Sequence, residues 1–260
     1  MELIQTFLVA TVSIILLMTI AWIISQVVGK LSIVDIVWGL GFIVVALSTL
    51  IFNAQYQPRQ ILVTLLVCLW GGRLAFYIYL RNKGKPEDFR YQKMKENWGK
   101  DEAIHSYLKV FLLQGFFMFL VTFVVQIINT FAYQPAIGIV DIIGAAVWIF
   151  GFLFESIGDY QMYMFKKDPK NKGKIMTSGL WKYTRHPNYF GEATQWWGIF
   201  IISLRAPFGI IGIISPIVIT YMLRKVSGVP MLEAKYKENK EYQNYIKNTS
   251  GFIPKSPKSL

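Results

Sequence analysis

A chain of 260 residues with a single cysteine, Cys68, cannot close a disulfide within itself, so cross-links contribute nothing to its stability. Histidine is almost as scarce. His105 and His186 lie far apart and neither has a metal-ligand spacing, so no metal site is expected. Charged residues are only 16% of the sequence against 54% hydrophobic ones, too few to clothe a soluble domain of this size. There is no internal repeat and no low-complexity segment, which leaves a transporter of two matching halves without support.

Long apolar runs are what the sequence has in quantity. A helix needs about 20 apolar residues to cross a hydrocarbon core about 30 Å thick. Stretches near 3–28, 33–53, 60–80, 107–130, 137–165, 189–204 and 207–224 meet or approach that length. The expected fold is an all-α polytopic membrane helix bundle of about seven transmembrane helices, a single integral membrane domain over 1–260. Only Arg205, Ala206 and Pro207 separate the last two spans, which suits a tight helical hairpin or one broken helix. The first span opens with Met1 and Glu2, lacks a basic flank and a small-residue cleavage site, and reads as retained rather than as a signal peptide.

The formal net charge of +12 raises the question of nucleic acid, and the placement of the charges answers it. Eight Lys or Arg residues lie between Arg81 and Lys109, seven between Lys166 and Arg185, and eight between Arg224 and Lys258. With Lys30 these are 24 of the 27, and seven spans put them all on one side. The positive-inside rule then expects the N-terminus outside and the C-terminus cytoplasmic. The basic charge reports topology and contact with anionic membrane lipids, not a nucleic-acid partner, and no protein partner is implied.

Ionisable groups within apolar spans are functional candidates by default, because placing one in hydrocarbon costs at least about 2.5 kcal/mol. Glu155 and Asp159 are one turn apart on the fifth span. Two acids so close need a cationic or hydrogen-bonding partner, or else Asp159 sits at the membrane surface where the span ends. Asn188, Glu192 and Gln195 make a polar stripe on the sixth span, which suits either a ligand or a neighbouring helix. Pro187 fits the first turn of that helix, whose exposed N–H groups suit a phosphate or carboxylate. In the third span Trp70, Arg73 and Tyr77 share a face, and Asp35 of the second span is the nearest acid in sequence for Arg73. That pair is either a buried structural ion pair or part of a site. The segment Asn82–Ser106, the segment Lys166–Pro187 and the tail read as cytoplasmic, the tail with a helix of its own. Trp22, Tyr56, Trp148 and Trp196-Trp197 read as interfacial anchors.

The run Gly179-Leu180-Trp181-Lys182-Tyr183-Thr184-Arg185-His186-Pro187-Asn188-Tyr189-Phe190-Gly191-Glu192 resembles the C-terminal signature of the steroid 5-alpha-reductase superfamily. The likeness extends through Asp159-Tyr160 upstream and through Leu223-Arg224 to Phe252-Ile253-Pro254 downstream, so that residues 140–260 form the reductase-like part. The N-terminal half resembles an uncharacterised bacterial branch of the superfamily, with Asp-x-x-Trp-Gly from Asp35, Trp-Gly-x-Arg-Leu from Trp70 and Asp-x-Arg-Tyr from Asp88.

This resemblance implies a membrane reductase, in a bacterial inner membrane, that takes NADPH from the cytoplasm and reduces a carbon–carbon double bond conjugated to a carbonyl. The substrate implied is a lipophilic enone, steroid-like or isoprenoid. Carried over position by position, Glu155, Asp159, Lys166, Lys174, Tyr183, Arg185, Asn188, Glu192 and Arg224 are the implied cofactor set, with Lys166 and Lys174 where reductases often have arginines. Glu155 stands where the steroid enzymes have an asparagine, and Leu232 where they have a cofactor-side tyrosine. Those enzymes hold the substrate carbonyl with a Glu of the second span and a Tyr of the third. Here the second span offers Asp35 and the third offers Trp70, Gly71 and Gly72, so that tyrosine is absent. Asp35, as a proton or hydrogen-bond donor, and Arg73, as a positive charge, are the catalytic expectations. Isoprenylcysteine carboxyl methyltransferases carry a similar Arg-His-Pro-x-Tyr run. An S-adenosylmethionine-dependent lipid methyltransferase using Arg185, His186 and Glu233 is therefore the rival, and a non-catalytic lipid-binding protein is the third reading.

Overall fold

The computed structural model describes residues 2–131, 136–226, 228–234 and 236–257. Among them the protein is all helical, with one isolated parallel bridge between Thr184 and Ser250. Six helical runs are long and apolar enough to cross a membrane: Glu2–Val28, Ile33–Asn53, Pro58–Asn82, Phe89–Val121, Ile139–Lys167 and Gly209–Ala234. The remaining expected span corresponds to Pro187–Ser203, shorter than these at 17 residues. The chain is an integral membrane protein whose contacts gather into two compact units, Met1–Gly138 with Ser203–Ser215, and Ile139–Ile202 with Pro216–Leu260.

In the first unit α1 (Glu2–Val28), α2 (Ile33–Asn53) and α3 (Pro58–Asn82) are uninterrupted. Pro58 starts α3 where its missing N–H does no harm, and Gln57 and Gln60 close a capping box over the same turn. Helices α2 and α3 touch backbone to backbone at Gly39 and Gly71. A Cβ on either residue would lie 2.5 Å from the other's carbonyl oxygen. Lipid gives apolar helices little reason to associate, so close approach at small residues is what holds such a pair.

The segment expected as a loop after α3 instead contains α4 (Phe89–Trp98), which leads through a 3-10 turn, α5 (Glu102–Ser106) and a π-helical stretch (Tyr107–Leu112) into α6 (Leu113–Val121). The expected continuous span 107–130 is also corrected, since the helix breaks at Thr122 before α7 (Phe123–Thr130). Thr122 Oγ1 donates to the Met118 carbonyl at 2.7 Å and accepts from Gln126 Nε2 at 2.9 Å. The amide of Val124 donates to Ser215 Oγ at 2.9 Å. Side chains thus take over the hydrogen bonds that the break leaves open, as a membrane interior requires.

The second unit is built on α8 (Ile139–Lys167) and α9 (Pro187–Ser203). Helix α10 (Ile214–Tyr221) runs into it from the first unit and passes into a π-helical stretch (Met222–Val226), followed by α11 (Val229–Ala234) and α12 (Lys240–Asn248). The tail helix expected from the sequence is α12, capped by Asn239, whose Oδ1 accepts from the Tyr242 amide at 2.9 Å.

Candidate functional site

Glycines set the contact between α8 and α9. Gly144, Gly151 and Gly158 recur every seventh residue on α8, as Gly191 and Gly198 do on α9. A Cβ on Gly198 would meet the Gly144 carbonyl oxygen at 2.7 Å, and one on Gly191 would meet the Gly151 oxygen at 2.6 Å and the Glu155 amide at 2.5 Å. Gly158 lies against Pro187, where an added Cβ would be 3.1 Å from the ring and 3.3 Å from the Asn188 amide. The polar stripe alone does not point to this zipper, although the seven-residue spacing of its glycines stands in the sequence.

Close approach of the two backbones brings the expected polar groups into one seam. Glu155 Oε2 accepts from Gln195 Nε2 at 2.6 Å, and both residues are buried. Asp159, one turn further on, and Glu192 are also buried, while Asn188 is half-buried. Gln195 Oε1 is buried with no hydrogen-bond donor among the described residues. A buried acceptor without a donor costs about 1–3 kcal/mol, so this seam has capacity for a ligand donor such as a carboxamide N–H.

The signature segment sits at the start of α9 and is tied to the tail. Arg185 Nε donates to Glu233 Oε1 at 2.8 Å, and its Nη1 donates to the carbonyls of Ile246, at 3.2 Å, and Thr249. His186 Nε2 lies 3.2 Å from the same Glu233 oxygen. Burial pushes the His186 imidazole below its ordinary value, against the opposing pull of Glu233. The Arg185 amide bonds the Ser250 carbonyl, Thr184 Oγ1 bonds the Phe252 carbonyl, and the Tyr245 hydroxyl bonds the Trp181 carbonyl. Arg185, one of the implied cofactor residues, thereby holds the tail through Nε and Nη1.

The other implied cofactor residues fall into two groups. Lys166, Lys174, Tyr183 and Arg224 are exposed, and the Arg224 guanidinium lies 5.4 Å from the centre of the Phe252 ring. Cations of this kind fit phosphates, and the buried acid–amide seam fits a carboxamide, so the donor set suits a dinucleotide.

The catalytic expectations lie in the first unit. Asp35 draws its cation from Arg90, at 3.2 Å, and not from the expected Arg73. Its other oxygen accepts from the Tyr91 hydroxyl at 2.6 Å. Arg90 Nε is held in turn by Asp88 at 3.0 Å, while Glu87 accepts from the amides of Leu31 and Ser32 at 2.5 and 3.2 Å, fixing the approach to α2. Tyr91 is buried at 5% exposure and was not among the expected site residues. The Asp-x-Arg-Tyr run was the signal for it, but only the fold shows that its tyrosine reaches Asp35.

Comparison with known proteins adds family context. Residues 21–249 match the family described as a protein of unknown function, DUF1295. An uncharacterised protein of Schizosaccharomyces pombe is 23% identical over 207 residues, 70% of this chain and 60% of its own length. The 3-oxo-5-alpha-steroid 4-dehydrogenase 1 of Bos taurus is 33% identical over 60 residues, 23% of each chain. A probable O-methyltransferase of Ustilaginoidea virens is 41% identical over 46 residues, 18% of this chain and 16% of its own. The chain thus spans less than two thirds of each of these relatives. No solved structure matches.

Proposed function

This chain belongs to the DUF1295 family, and from that membership and the geometry of its second unit we propose a membrane reductase. It uses NADPH to reduce a carbon–carbon double bond conjugated to a carbonyl in a lipophilic substrate, steroid-like or isoprenoid. The working topology keeps the N-terminus outside and the C-terminus in the cytoplasm of a bacterial inner membrane.

The observation that carries this reading is the buried Glu155–Gln195 seam beside Asn188 and Glu192, with exposed cations at Lys166, Lys174 and Arg224. A buried carboxylate already engaged by one amide, next to an amide oxygen lacking a donor, offers acceptors to the NH2 group of a nicotinamide carboxamide. NADPH, when bound, supplies hydride. Asn188, Glu192, Gln195 and Glu155 orient the ring by hydrogen bonds, while the glycine zipper excludes water from the seam. Tyr183 and Asp159 complete the set.

Hydride addition at the β carbon leaves an electron pair on the substrate oxygen, which must be stabilised until the α carbon takes a proton. Asp35, as a proton or hydrogen-bond donor, and Arg73, as a positive charge, are the residues assigned to that role.

The test is consumption of NADPH by protein in nanodiscs supplied with a panel of enone lipids. Turnover that is lost in Asn188→Ala, with a matching loss of NADPH affinity, supports the reading. Methyl transfer from S-adenosylmethionine to an isoprenoid carboxylate, abolished in Glu233→Gln, replaces it with the rival.

A further inference from the structure

A cleft of about 240 Å³ opens between the π-helical stretch Met222–Val226 and the tail. Arg224, Lys225 and Lys255 line it together with Ser250, Gly251 and the Phe252 ring. None of its lining residues is acidic, and among the described residues no carboxylate pairs with any of the three cations. Three like charges around one small cleft repel one another unless an anion enters.

The wall that carries Ser250, Gly251 and Phe252 is fixed. Thr184 bridges Ser250 and bonds the Phe252 carbonyl at 2.9 Å, and a Cβ on Gly251 would lie 3.1 Å from the Arg185 guanidinium. Arg224 is laid over Phe252. The cations therefore surround a preformed surface. The cleft is smaller than the roughly 300–1,000 Å³ of a site for a whole small molecule, so it suits one charged group at the end of a larger ligand.

We infer that this cleft is a phosphate-monoester site that reads the 2′-phosphate of the dinucleotide, with Lys225 and Lys255 as the residues that select NADPH over NADH. The inference rests on the reductase reading and goes beyond it, since neither lysine belongs to the cofactor set that the family resemblance implies. Lys225 and Lys255 are exposed, and the hydrogen bond that ties Lys255 to the Tyr183 carbonyl comes from its backbone amide and not its side chain, so replacing the two side chains leaves folding intact.

Calorimetric titration of NADPH, NADH and 2′,5′-ADP into wild type, K225Q/K255Q and K225R/K255R tests it at two salt concentrations. Wild type binds NADPH at least about tenfold more tightly than NADH, a difference of about 1.4 kcal/mol. The Gln pair reduces that ratio to about twofold without changing NADH affinity, the Arg pair keeps it, and added salt erodes it. Equal binding of NADPH and NADH by wild type overturns the inference while leaving the reductase intact. So does a Gln pair that weakens both nucleotides equally. Failure of wild type to bind either dinucleotide overturns both, and tight binding only to nanodiscs containing phosphatidic acid reassigns the cleft to a lipid headgroup.

Discussion

The Tyr91 hydroxyl donates to Asp35 Oδ1 at 2.6 Å while Arg90 holds Asp35 Oδ2 at 3.2 Å, so an acid at the start of an apolar helix is fully engaged by two consecutive residues. Tyr91→Phe removes one hydrogen bond and leaves the ion pair, and is expected to lower stability by about 1–2 kcal/mol. Asp35→Asn leaves Arg90 without that carboxylate and lowers it further. Thermal unfolding in detergent checks the order. If Asp35→Asn and Tyr91→Phe both leave turnover unchanged while NADPH still binds, the pair is purely structural.

The α8–α9 contact predicts a sharp difference between glycines. Gly191→Ala places a methyl 2.5 Å from the Glu155 amide and 2.6 Å from the Gly151 oxygen. Backbone cannot yield as a side chain can, so the helices separate at a cost of about 1–3 kcal/mol. The Glu155–Gln195 bond loosens with them, and NADPH affinity falls. Gly72→Ala meets nothing within 4 Å and is expected to be neutral or stabilising by about 1 kcal/mol. Equal unfolding temperatures for the two variants would remove the zipper from the account.

Burial holds His186 neutral below its ordinary titration range, which fixes the sign of a pH effect. The unfolded chain binds a proton at this residue before the folded chain does, so stability rises with pH through that interval. The contribution is complete above the unfolded value of about 6.5 and is lost as pH falls toward the lower folded value. Protection factors of the tail, residues 240–257, corrected for the intrinsic pH dependence of amide exchange, should fall between pH 7 and 5 in wild type. His186→Gln should flatten that dependence, and an unchanged slope in the variant would assign it to another group.

Much of the fold was legible because hydropathy is local. The runs 33–53 and 137–165 were recovered as Ile33–Asn53 and Ile139–Lys167. The break at Thr122 was not, since its neighbours are apolar and what stabilises it is Ser215, far away in sequence. The acid pair on α8 and the stripe on α9 were legible from helical spacing, and the fold joins them through Glu155 and Gln195. Helix α4 was missed because its ten residues are polar and short, and what they bind is the start of α2. The contacts of Arg185 are not legible for a related reason: an arginine in a signature can bind a phosphate or tie down a tail, and its ion pair with Glu233 appears only in the fold.

The central claim is that the seam between α8 and α9 holds the nicotinamide end of NADPH. Side-by-side calorimetry of NADPH and S-adenosylmethionine with detergent-purified protein, repeated with Asn188→Ala, tests it most directly. The account predicts that NADPH binds, that S-adenosylmethionine does not, and that Asn188→Ala weakens NADPH at least about tenfold, or about 1.4 kcal/mol. Binding of S-adenosylmethionine alone would contradict it.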